Sequence, residues 1–433
     1  MSFHQPSRLC GGLLLALLLL AVGQCTAGTV KLGLNYPQTG PYQVQGLDQW
    51  RAANLAVDEI NASGGILGQQ VEIVWRDSQS RTDLTRQNIV DLIDSEGAQM
   101  IFGGSSSGVA VAAGKVCQEK GVPFFGTLTY STATTGTDGH RYTFRECYDA
   151  WMGAGAIAEY LNQSHSGKKY FYITADYTWG HTTEASLREL THTTDADTHR
   201  GVKTPFPSAT TEDFKKALAF AKMVNPDVLV LVLFGNDMVE CVRHATAMGL
   251  KQKAQIVVPN LTLGMASGAG PKVMEGVIGA VPWCWQVPYK YDYPKGRQFV
   301  ETFAEQHGRY PSTSGASAYT IVYQYKEAVE RAGSFAGHEV VRALENHRYT
   351  LLKDEQYWRT FDHQSIQTVY AVVCKPEAEV LRDKYNLDYF DIISSTPGEK
   401  AAIALAQWEQ ARAAAGKPTH LETLPGESRV ASR

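Results

Sequence analysis

The sequence predicts an α/β protein made of two doubly wound, Rossmann-like lobes. Segments of strand length alternate along the chain with amphipathic segments of helix length, which is typical of parallel sheets with helical crossovers. The strand segments are apolar throughout, as in strands that are buried on both faces. The alternation occurs in two successive blocks of about 120 residues each, a size expected for one domain. Each block therefore predicts one lobe.

The first block begins with a predicted strand at residues 30–36. Apolar residues at helical spacing follow it, and the paired glycines Gly64 and Gly65 end that helix. The further elements of this block are, in order, a strand at 71–77, a helix at 82–95, a strand at 98–104, a helix at 108–121 and a strand at 122–127.

The second block continues the same alternation, and the rhythm changes after residue 279. Its predicted elements are a helix at 151–162, a strand at 168–176, helices at 180–190 and 211–223, a strand at 227–234, a helix at 236–248 and a strand at 254–260. Long helices at 294–307 and 314–332 and a hairpin-like pair of strands at 356–362 and 367–375 come next. We expect these segments to return and complete the two lobes, with a third domain as the alternative. From residue 398 the pattern predicts helix and then a frayed polar tail.

The N-terminus predicts export. Arg8 precedes an apolar run at residues 11–23, and small residues follow it, which is typical of a secretory signal peptide. The run is too short for a permanent membrane span. We predict a signal peptide at residues 1–27 and a soluble mature chain that begins at Gly28. Cys25 leaves lipid anchoring as an alternative, although Gln24 before it fits such sites poorly.

Composition excludes several classes of function. A net charge of −4 lacks the basic footprint of a nucleic-acid binder, so we expect no nucleic-acid partner. The chain has no H-E-x-x-H and no C-x-x-C motif, so we expect no metal and no cofactor. The mature chain keeps an odd number of cysteines, which leaves at least one thiol without an intrachain partner, and the sequence assigns no pairing. These cysteines are Cys117, Cys147, Cys241, Cys284 and Cys374.

The loops after the strands point to a ligand site. In open parallel sheets, ligands bind beyond the carboxyl ends of the strands. The loops there are rich in hydroxyl, amide and aromatic side chains and poor in the histidines and paired carboxylates of acid–base catalysis. They are TGPYQVQG (39–46), GGSSSG (103–108), GTLTYST (126–132), DYTWG (176–180), FGND (234–237) and PNLT (259–262). We expect a small organic ligand, with Tyr42, Tyr130, Trp179 and Phe234 as candidate walls.

The serine loop has two functional interpretations. Gly104–Gly108 satisfies G-x-S-x-G, so a secreted hydrolase would use Ser106 as its nucleophile. Alternatively, the serine hydroxyls and the free amides at a helix start would hold a ligand oxygen. An ordinary N-cap would use only one of the three serines. No later histidine lies in a clear strand-end loop with an acidic partner, so the sequence favours holding over attack.

These motifs resemble the periplasmic solute-binding proteins of the branched-chain amino-acid and amide ABC importers, the Leu/Ile/Val-binding-like, type I periplasmic binding proteins. The resemblance runs from about residue 29 to about residue 375. It is carried by the signal peptide, LAVDEINASGGILGQQVEIVWRDSQS, GGSSSG, GVPFFGTLT, DYTWG, DVLVLVLF and ATAMGLK.

The resemblance implies two α/β lobes joined by a three-crossover hinge that close on a small-molecule ligand. It also implies a monomer without catalytic activity, located in the periplasm and delivering its ligand to ABC transporter permease subunits in the membrane. A ligand-sensing lobe of a signalling system is an alternative. We expect an N-terminal lobe of residues 28–147 plus 279–359, a C-terminal lobe of 148–278 plus 360–398, and a C-terminal helix and tail at 399–433.

The resemblance also assigns ligand-binding residues. Ser105 matches the first cradle serine, with Ser106 beside it, and Thr127 and Thr129 match the loop that binds a ligand carboxylate. The other candidates contact the body of the ligand or the hinge side of the cleft. They are Tyr42, Gln45 (where many members have an aromatic residue), Tyr148, Trp179 and Phe234. Asp149 beside Tyr148 has the simpler interpretation of a helix N-cap.

One position departs from the family pattern. Amino-acid binders of the family have a glutamate for the ligand ammonium where this chain has Asn260. A lost charge-assisted hydrogen bond of this kind costs about 1.5–3 kcal/mol. The sequence therefore favours an amide, a urea-like compound or an aromatic carboxylate over a standard branched-chain amino acid, unless Asp149 or Asp237 replaces the glutamate.

Overall fold

The structure is a computed structural model that describes residues 1–2 and 28–427. The predicted signal peptide, apart from its first two residues, and Cys25 lie outside the described residues. Within the described part of the chain, no helix is long and apolar enough to cross a membrane. Its cysteines, Cys117 to Cys374, are all buried free thiols.

The strands agree with most of the predicted apolar segments. In chain order they are β1 (Thr29–Tyr36), β2 (Gln70–Asp77), β3 (Met100–Gly103), β4 (Phe124–Gly126), β5 (Thr143–Arg145), β6 (Tyr170–Ala175), β7 (Gly201–Thr204), β8 (Val228–Val232), β9 (Gln255–Val258), β10 (Ile278–Val281), β11 (Arg348–Tyr349), β12 (Gln356–Trp358), β13 (Ser365–Ile366), β14 (Val369–Cys374) and β15 (Phe390–Thr396).

The helices that the sequence predicts begin and end close to their predicted bounds. In chain order they are α1 (Gln43–Ala62), α2 (Thr82–Val90), α3 (Ser107–Lys120), α4 (Ala150–Ser164), α5 (Thr178–Leu190), α6 (Thr211–Val224), α7 (Gly235–Ala247), α8 (Leu263–Ala269), α9 (Pro271–Met274), α10 (Val287–Lys290), α11 (Pro294–His307), α12 (Thr313–Ala332), α13 (Gly337–Leu344), α14 (Glu377–Val380), α15 (Gly398–Ala401) and α16 (Leu405–Ala414). Of these helices, α8, α9, α10, α13 and α14 were not predicted. A π-helical turn (Asp91–Ser95) extends α2, and a 3₁₀ turn (Thr132–Thr134) follows β4.

Two sheets define two lobes. The first is a five-stranded sheet in the order β2-β1-β3-β4-β5, and all its neighbouring strands are parallel. The second is a seven-stranded sheet in the order β15-β14-β10-β9-β8-β6-β7, parallel from β7 to β10. Strands such as β3 and β8 are buried along their full length, as their unbroken apolar runs predict. The predicted fold class of two doubly wound α/β lobes is confirmed.

The segments after residue 279 return to the two lobes as predicted. Helix α12 packs along α1 in the first lobe, while β14 and β15 add antiparallel strands to the second sheet. The predicted hairpin between residues 356–362 and 367–375 is wrong. β12 instead pairs with β11 and β13 in a small three-stranded sheet. The apolar run of β14 is too long for that small sheet and is buried in the second lobe, between β10 and β15.

Two further features differ from the sequence prediction. β7 has an exposed, mostly polar pattern, and β15 alternates imperfectly, so neither produced a strand signal. The predicted frayed tail begins at residue 425, and this prediction is wrong for residues 425–427, the part of the tail that the structure describes. The carboxylate of Glu427 lies 3.2 Å from the guanidinium of Arg141, and the nearby Leu421 and Leu424 are buried.

Candidate functional site

The predicted strand-end loops meet where the carboxyl edges of the two sheets face each other. The aromatic ring of Phe234 in the second lobe lies 5.2 Å from Tyr42 and 6.0 Å from Tyr130 of the first lobe, centroid to centroid. Gln45 Nε2 of the first lobe donates to Thr262 Oγ1 of the second at 3.4 Å. Each predicted site residue is at most 8% exposed, and they are Tyr42, Gln45, Ser105, Ser106, Thr127, Thr129, Tyr148, Trp179, Phe234 and Asn260.

The serine loop lies at the N-terminus of α3. Ser106 occupies the N-cap position in extended conformation, but its side chain makes no capping hydrogen bond. The hydroxyls of Ser105 and Ser107 are buried and have no hydrogen-bond partner in the described part of the chain. Buried polar groups are normally paired, so these two hydroxyls are available to a ligand oxygen. The helix start adds unsatisfied amides and positive potential at the same place.

A glycine before the serines shapes this loop. Gly103 has a φ of 115°, and a Cβ there would lie 2.4 Å from the carbonyl oxygen of Asn35. Only glycine accepts both the left-handed conformation and the close backbone approach. Gly104 then donates its amide to the same carbonyl oxygen at 2.9 Å. The loop is therefore held against β1 by its backbone, which leaves the serine side chains free of structural bonds.

The two predicted threonines have hydrogen-bond partners within the protein. Thr127 Oγ1 donates to Gln49 Oε1 at 2.7 Å, and Gln49 Nε2 donates to the Gly104 carbonyl at 3.3 Å. Thr127 thus supports the serine loop through Gln49, a residue that the sequence analysis missed. Thr129 Oγ1 lies 2.9 Å from Thr134 Oγ1, which ties it to the 3₁₀ turn.

Aromatic side chains enclose the region between the lobes. The ring of Trp179 lies 5.9 Å from Phe234, and Tyr130 lies 5.4 Å from Tyr148. Trp179 Nε1 and the Tyr130 hydroxyl are buried without a partner among the described residues. Indole and phenol groups provide apolar surface and a hydrogen-bond donor at the same time. The walls can therefore contact an apolar ligand body and also donate to it.

Two members of this cluster were not predicted. Tyr177 and Phe206 stack with centroids 3.8 Å apart, and Phe206 also stacks on Tyr42 at 6.5 Å. Tyr177 lies inside the DYTWG motif, in which only Trp179 was a predicted site residue. Phe206 follows β7, and because that strand was missed, no strand-end loop pointed to it.

Tyr42 fits closely against the second lobe. Its ring faces Gly235, which has a φ of 60°, and a Cβ on that glycine would lie 2.7 Å from the ring. Burial, with a hydrogen bond to Tyr177, raises the pKa of Tyr42 well above its ordinary value. Tyr42 is therefore a neutral phenol, and its ring packs between the two lobes.

Asn260 lies at the end of β9 and is held by Tyr148. The Tyr148 hydroxyl lies 2.9 Å from Asn260 Oδ1 and 2.9 Å from the carbonyl oxygen of Ala280. The amide nitrogen of Asn260 is buried and has no partner among the described residues. Whichever way the amide is oriented, it offers one neutral donor and one neutral acceptor and no charge.

Asp149 and Asp237, the two carboxylates that could take the place of a ligand-binding glutamate, have different surroundings. Asp149 caps α4 by accepting from the Met152 amide at 2.8 Å, and it lies 3.3 Å from the Arg145 guanidinium. The N-cap interpretation of Asp149 is confirmed. Asp237 acts electrostatically on Tyr42 and Tyr177, and burial together with Glu240 raises the pKa of Asp237 to about 6.

Two buried cationic side chains, Arg145 and Lys353, hold together segments that are far apart in the sequence, and neither was predicted to be buried. Arg145 is fully buried and donates to Gln364 Oε1 at 2.6 Å and to Thr135 Oγ1 at 2.7 Å. Lys353 is buried and donates to the carbonyl oxygens of Pro282 and Thr368 at 2.7 Å each. Burial lowers the pKa of Lys353 to about 8. These bonds join three separate chain segments, at residues 135–145, at residue 282 and at residues 353–368.

No group of three or more His, Cys, Asp or Glu residues in the described ranges is arranged to hold a metal ion. The predicted site residues themselves are neutral hydroxyl, amide, indole and aromatic groups, and Asp237 is the carboxylate that acts on Tyr42 and Tyr177 beside them. Groups of this kind, contributed by two lobes, are suited to contacting a small organic molecule.

Comparisons with known proteins agree with this class. Residues 29–379 match the family model described as periplasmic binding protein. The Leu/Ile/Val-binding protein homolog 7 of Brucella suis is 26% identical over 345 residues, which cover 75% of this chain and 83% of the relative.

Solved structures show the same fold. A periplasmic binding protein from Burkholderia mallei superposes with a TM-score of 0.78 at 23% identity and covers 87% of this chain and 96% of its own. A solute-binding protein of an ABC transporter from R. palustris, in complex with 4-hydroxybenzoate, gives a TM-score of 0.74 at 18% identity, with 85% and 97% covered. Fold and site thus define a two-lobed solute-binding protein. The chain belongs to the periplasmic binding protein family.

Proposed function

We propose that this protein captures a small organic solute between its two lobes outside the cytoplasm and delivers it to the permease of an ABC importer. The observation that carries the proposal is the convergence of buried, unpaired polar atoms from both lobes on one region. Ser105 and Tyr130 contribute from the first lobe, and Trp179 and Asn260 from the second. A ligand that pairs with all four would hold the lobes closed. A permease could then distinguish the loaded form by its shape.

The preferred ligand carries an oxygen acceptor and lacks an α-ammonium group. Hydroxyl and indole donors dominate the unpaired atoms, and the N-terminus of α3 favours a carboxylate or carbonyl oxygen. Asn260 is neutral, and Asp149 is already engaged with Arg145 and the Met152 amide. Of the two carboxylates, only Asp237 is left for a buried ammonium, and burial raises the pKa of Asp237 to about 6, which disfavours its charged form. A buried ammonium without a firm counter-charge is costly.

The body of the ligand is apolar or aromatic. Trp179, Phe234 and Tyr130 offer ring surface on two sides of the region, and aromatic pairs gain from stacked or edge-to-face contact. The R. palustris protein that binds 4-hydroxybenzoate shares the fold and supports an aromatic acid as one candidate. The name of the Brucella relative supports a branched-chain amino acid as the competing candidate. Benzoate, short amides and leucine therefore discriminate between the ligand classes.

We propose that the protein binds without catalysis. Ser106 makes no side-chain hydrogen bond to a histidine in the part of the chain that the structure describes, so no base activates it there. His181, which follows the DYTWG loop, lies 2.7 Å from Asp176. Ester substrates should not be turned over, and a serine-directed covalent reagent should not label Ser106.

We further propose that the protein is a monomer and that it is located in the periplasm, as the sequence predicts. We also propose the predicted division into lobes. Strands β1 to β5 support a first lobe that begins at residue 28, and β14 and β15 support the return of residues 360–398 to the second. Because β10 (Ile278–Val281) belongs to the second sheet, we place the second boundary after Val281 and not between residues 278 and 279.

A thermal-shift screen tests the proposed function. The mature protein is heated with amino acids, amides, ureas and aromatic acids in separate wells. A ligand that binds only the folded protein at one hundred times its Kd adds about 2.7 kcal/mol to the free energy of unfolding. At least one oxygen-acceptor solute should raise the Tm. Ester hydrolysis with labelling at Ser106 would contradict the proposal.

A further inference from the structure

The C-terminal segment after β15 lies along both lobes. We call residues 398–427 the strap, and they lie beyond the range that matches the family model. At its start, α15 packs against α4 of the second lobe, where Lys400 Nζ lies 2.9 Å from the Glu159 carboxylate. Its later part crosses to the first lobe and covers the loop at residues 131–141. The strap is thus an additional connection between the lobes.

Two buried side chains of α16 hold this loop by its backbone. Trp408 Nε1 donates to the carbonyl oxygen of Thr135 at 2.9 Å, and the tryptophan is 1% exposed. Arg412 Nη1 donates to the carbonyl oxygens of Gly136 at 2.6 Å and Gly139 at 3.2 Å. A buried guanidinium is costly unless it is well paired, so these bonds define one position of the loop.

The end of the strap fixes the other end of the same loop. Glu422 lies 2.6 Å from His140 Nδ1 and accepts from the Arg141 amide at 2.9 Å. Arg141 in turn donates to Glu345 at 2.7 Å. The loop is therefore held from residue 135 to residue 141 by groups that come from outside it.

The loop connects the strap to the ligand site. Thr134, in the 3₁₀ turn at its start, lies 2.9 Å from Thr129, hydroxyl to hydroxyl. Ser131 accepts from Thr182 of the second lobe at 3.4 Å, and Thr135 accepts from Arg145 at 2.7 Å. A shift of the loop would therefore move a site residue and a contact between the lobes together.

We propose that the strap is a positioning element of the ligand site, in which Trp408 and Arg412 act through the loop at residues 131–141 on Thr129. The inference rests on the proposed function, because it assumes that Thr129 faces the ligand. Within residues 398–427, which the structure describes, the hydrogen bonds of the strap go to residues outside the predicted site. Its effect on binding is indirect and should be separable from its effect on overall stability.

Hydrogen–deuterium exchange of the ligand-free, full-length mature protein tests the positioning step without any ligand. Trp408→Phe keeps an aromatic ring but removes the donor to Thr135, and Arg412→Gln removes the guanidinium. Gln410→Ala, at an exposed position of the same helix, is the matched control. Both strap variants should speed exchange in peptides covering residues 127–141 and leave β6 and β8 unchanged, and Arg412→Lys should restore part of the protection.

The exchange experiment tests the role of the strap, and the binding experiment tests the proposed ligand class, so that either can fail alone. Unchanged exchange at residues 127–141, or an equal rise in every peptide, would overturn the positioning role.

Calorimetry with benzoate, acetamide and leucine then measures the effect of the strap on ligand affinity. Trp408→Phe should weaken whichever probe binds by about three- to tenfold, the loss expected for one misplaced hydrogen bond. If no probe binds the wild-type protein, the proposed ligand class fails, while the exchange result still decides the role of the strap.

Discussion

The hydroxyl of Tyr148, just before α4, lies 2.9 Å from Oδ1 of Asn260, in the loop after β9. This contact holds the side chain of Asn260, a neutral amide, in position. The proposed ligand preference rests on this neutral group, because an amide pairs with an amide or an acid oxygen and does not balance an ammonium charge.

Replacing Asn260 with aspartate should reverse the charge preference. Asn260→Asp keeps the shape of the side chain but adds a buried negative charge beside the proposed oxygen-binding groups. Binding of benzoate should fall by at least about tenfold, since a lost or repelled charged hydrogen bond costs about 1.5–3 kcal/mol. Calorimetry at pH 7 measures the change. Tyr148→Phe, which frees Asn260 without adding charge, is the control and should have the smaller effect.

Replacing Ser105 with alanine should weaken ligand binding without lowering the stability of the ligand-free protein. The Ser105 hydroxyl is buried and unpaired, so its removal breaks no bond of the fold. Thr127→Val is the contrasting variant, because it breaks the bond to Gln49 and should lower the ligand-free Tm. Thermal melts with and without the best solute of the screen measure both quantities. Unchanged binding when Ser105 and Thr129 are replaced together would remove the oxygen site from this loop.

Replacing Gly235 with alanine should prevent full closure of the lobes. The added Cβ would lie 2.7 Å from the Tyr42 ring, at a residue with a φ of 60°. Small-angle scattering should show a larger radius of gyration than wild type in saturating ligand. Gly167→Ala, with a φ of 69° and nothing within 4 Å of the added atom, controls for backbone strain. Tyr42→Ala in the Gly235→Ala background should restore closure, and failure to do so would locate the obstruction elsewhere.

Acid should release the end of the strap. Burial opposes ionisation of Glu422, but its bonds to His140 and to backbone amides lower its pKa to about 2. A lowered folded-state pKa stabilises the fold above the ordinary carboxyl pKa, and this contribution is lost as pH falls from about 4.5 to about 2. Glu422→Gln should therefore cost about 1 kcal/mol or less at pH 7. Denaturant unfolding of both proteins should show this difference vanishing by pH 2, and a constant difference would contradict the assignment.

Sequence reasoning predicted the parts of the fold that have strong apolar periodicity. The strands β3 and β8 and the loops that follow them carry Ser105 and Phe234, and their unbroken apolar runs made both loops visible. Phe206 was missed because β7 before it is mostly polar and partly exposed. The hairpin prediction failed because pairing partners of short strands depend on contacts distant in sequence.

The sequence predicted a helix in the strap but not its packing across both lobes, for a related reason. Only two side chains of α16, Trp408 and Arg412, are buried, so the helix lacks a continuous apolar face. Arg145 and Lys353 were missed because a single charged residue in a strand or loop is ordinarily at the surface. Their partners come from segments far along the chain, such as Gln364 and Pro282. Such pairs are apparent only once the fold brings the segments together.

Titration calorimetry of the mature wild-type protein with leucine, acetamide and benzoate at pH 7 tests the central claim most directly. Asn260 supplies no negative charge, so benzoate or acetamide should bind at least about tenfold more tightly than leucine, the difference expected for a missing charge-assisted bond. Leucine binding tightest, at micromolar affinity or better, would contradict the account and would mean that Asp237 or another group balances the ammonium charge.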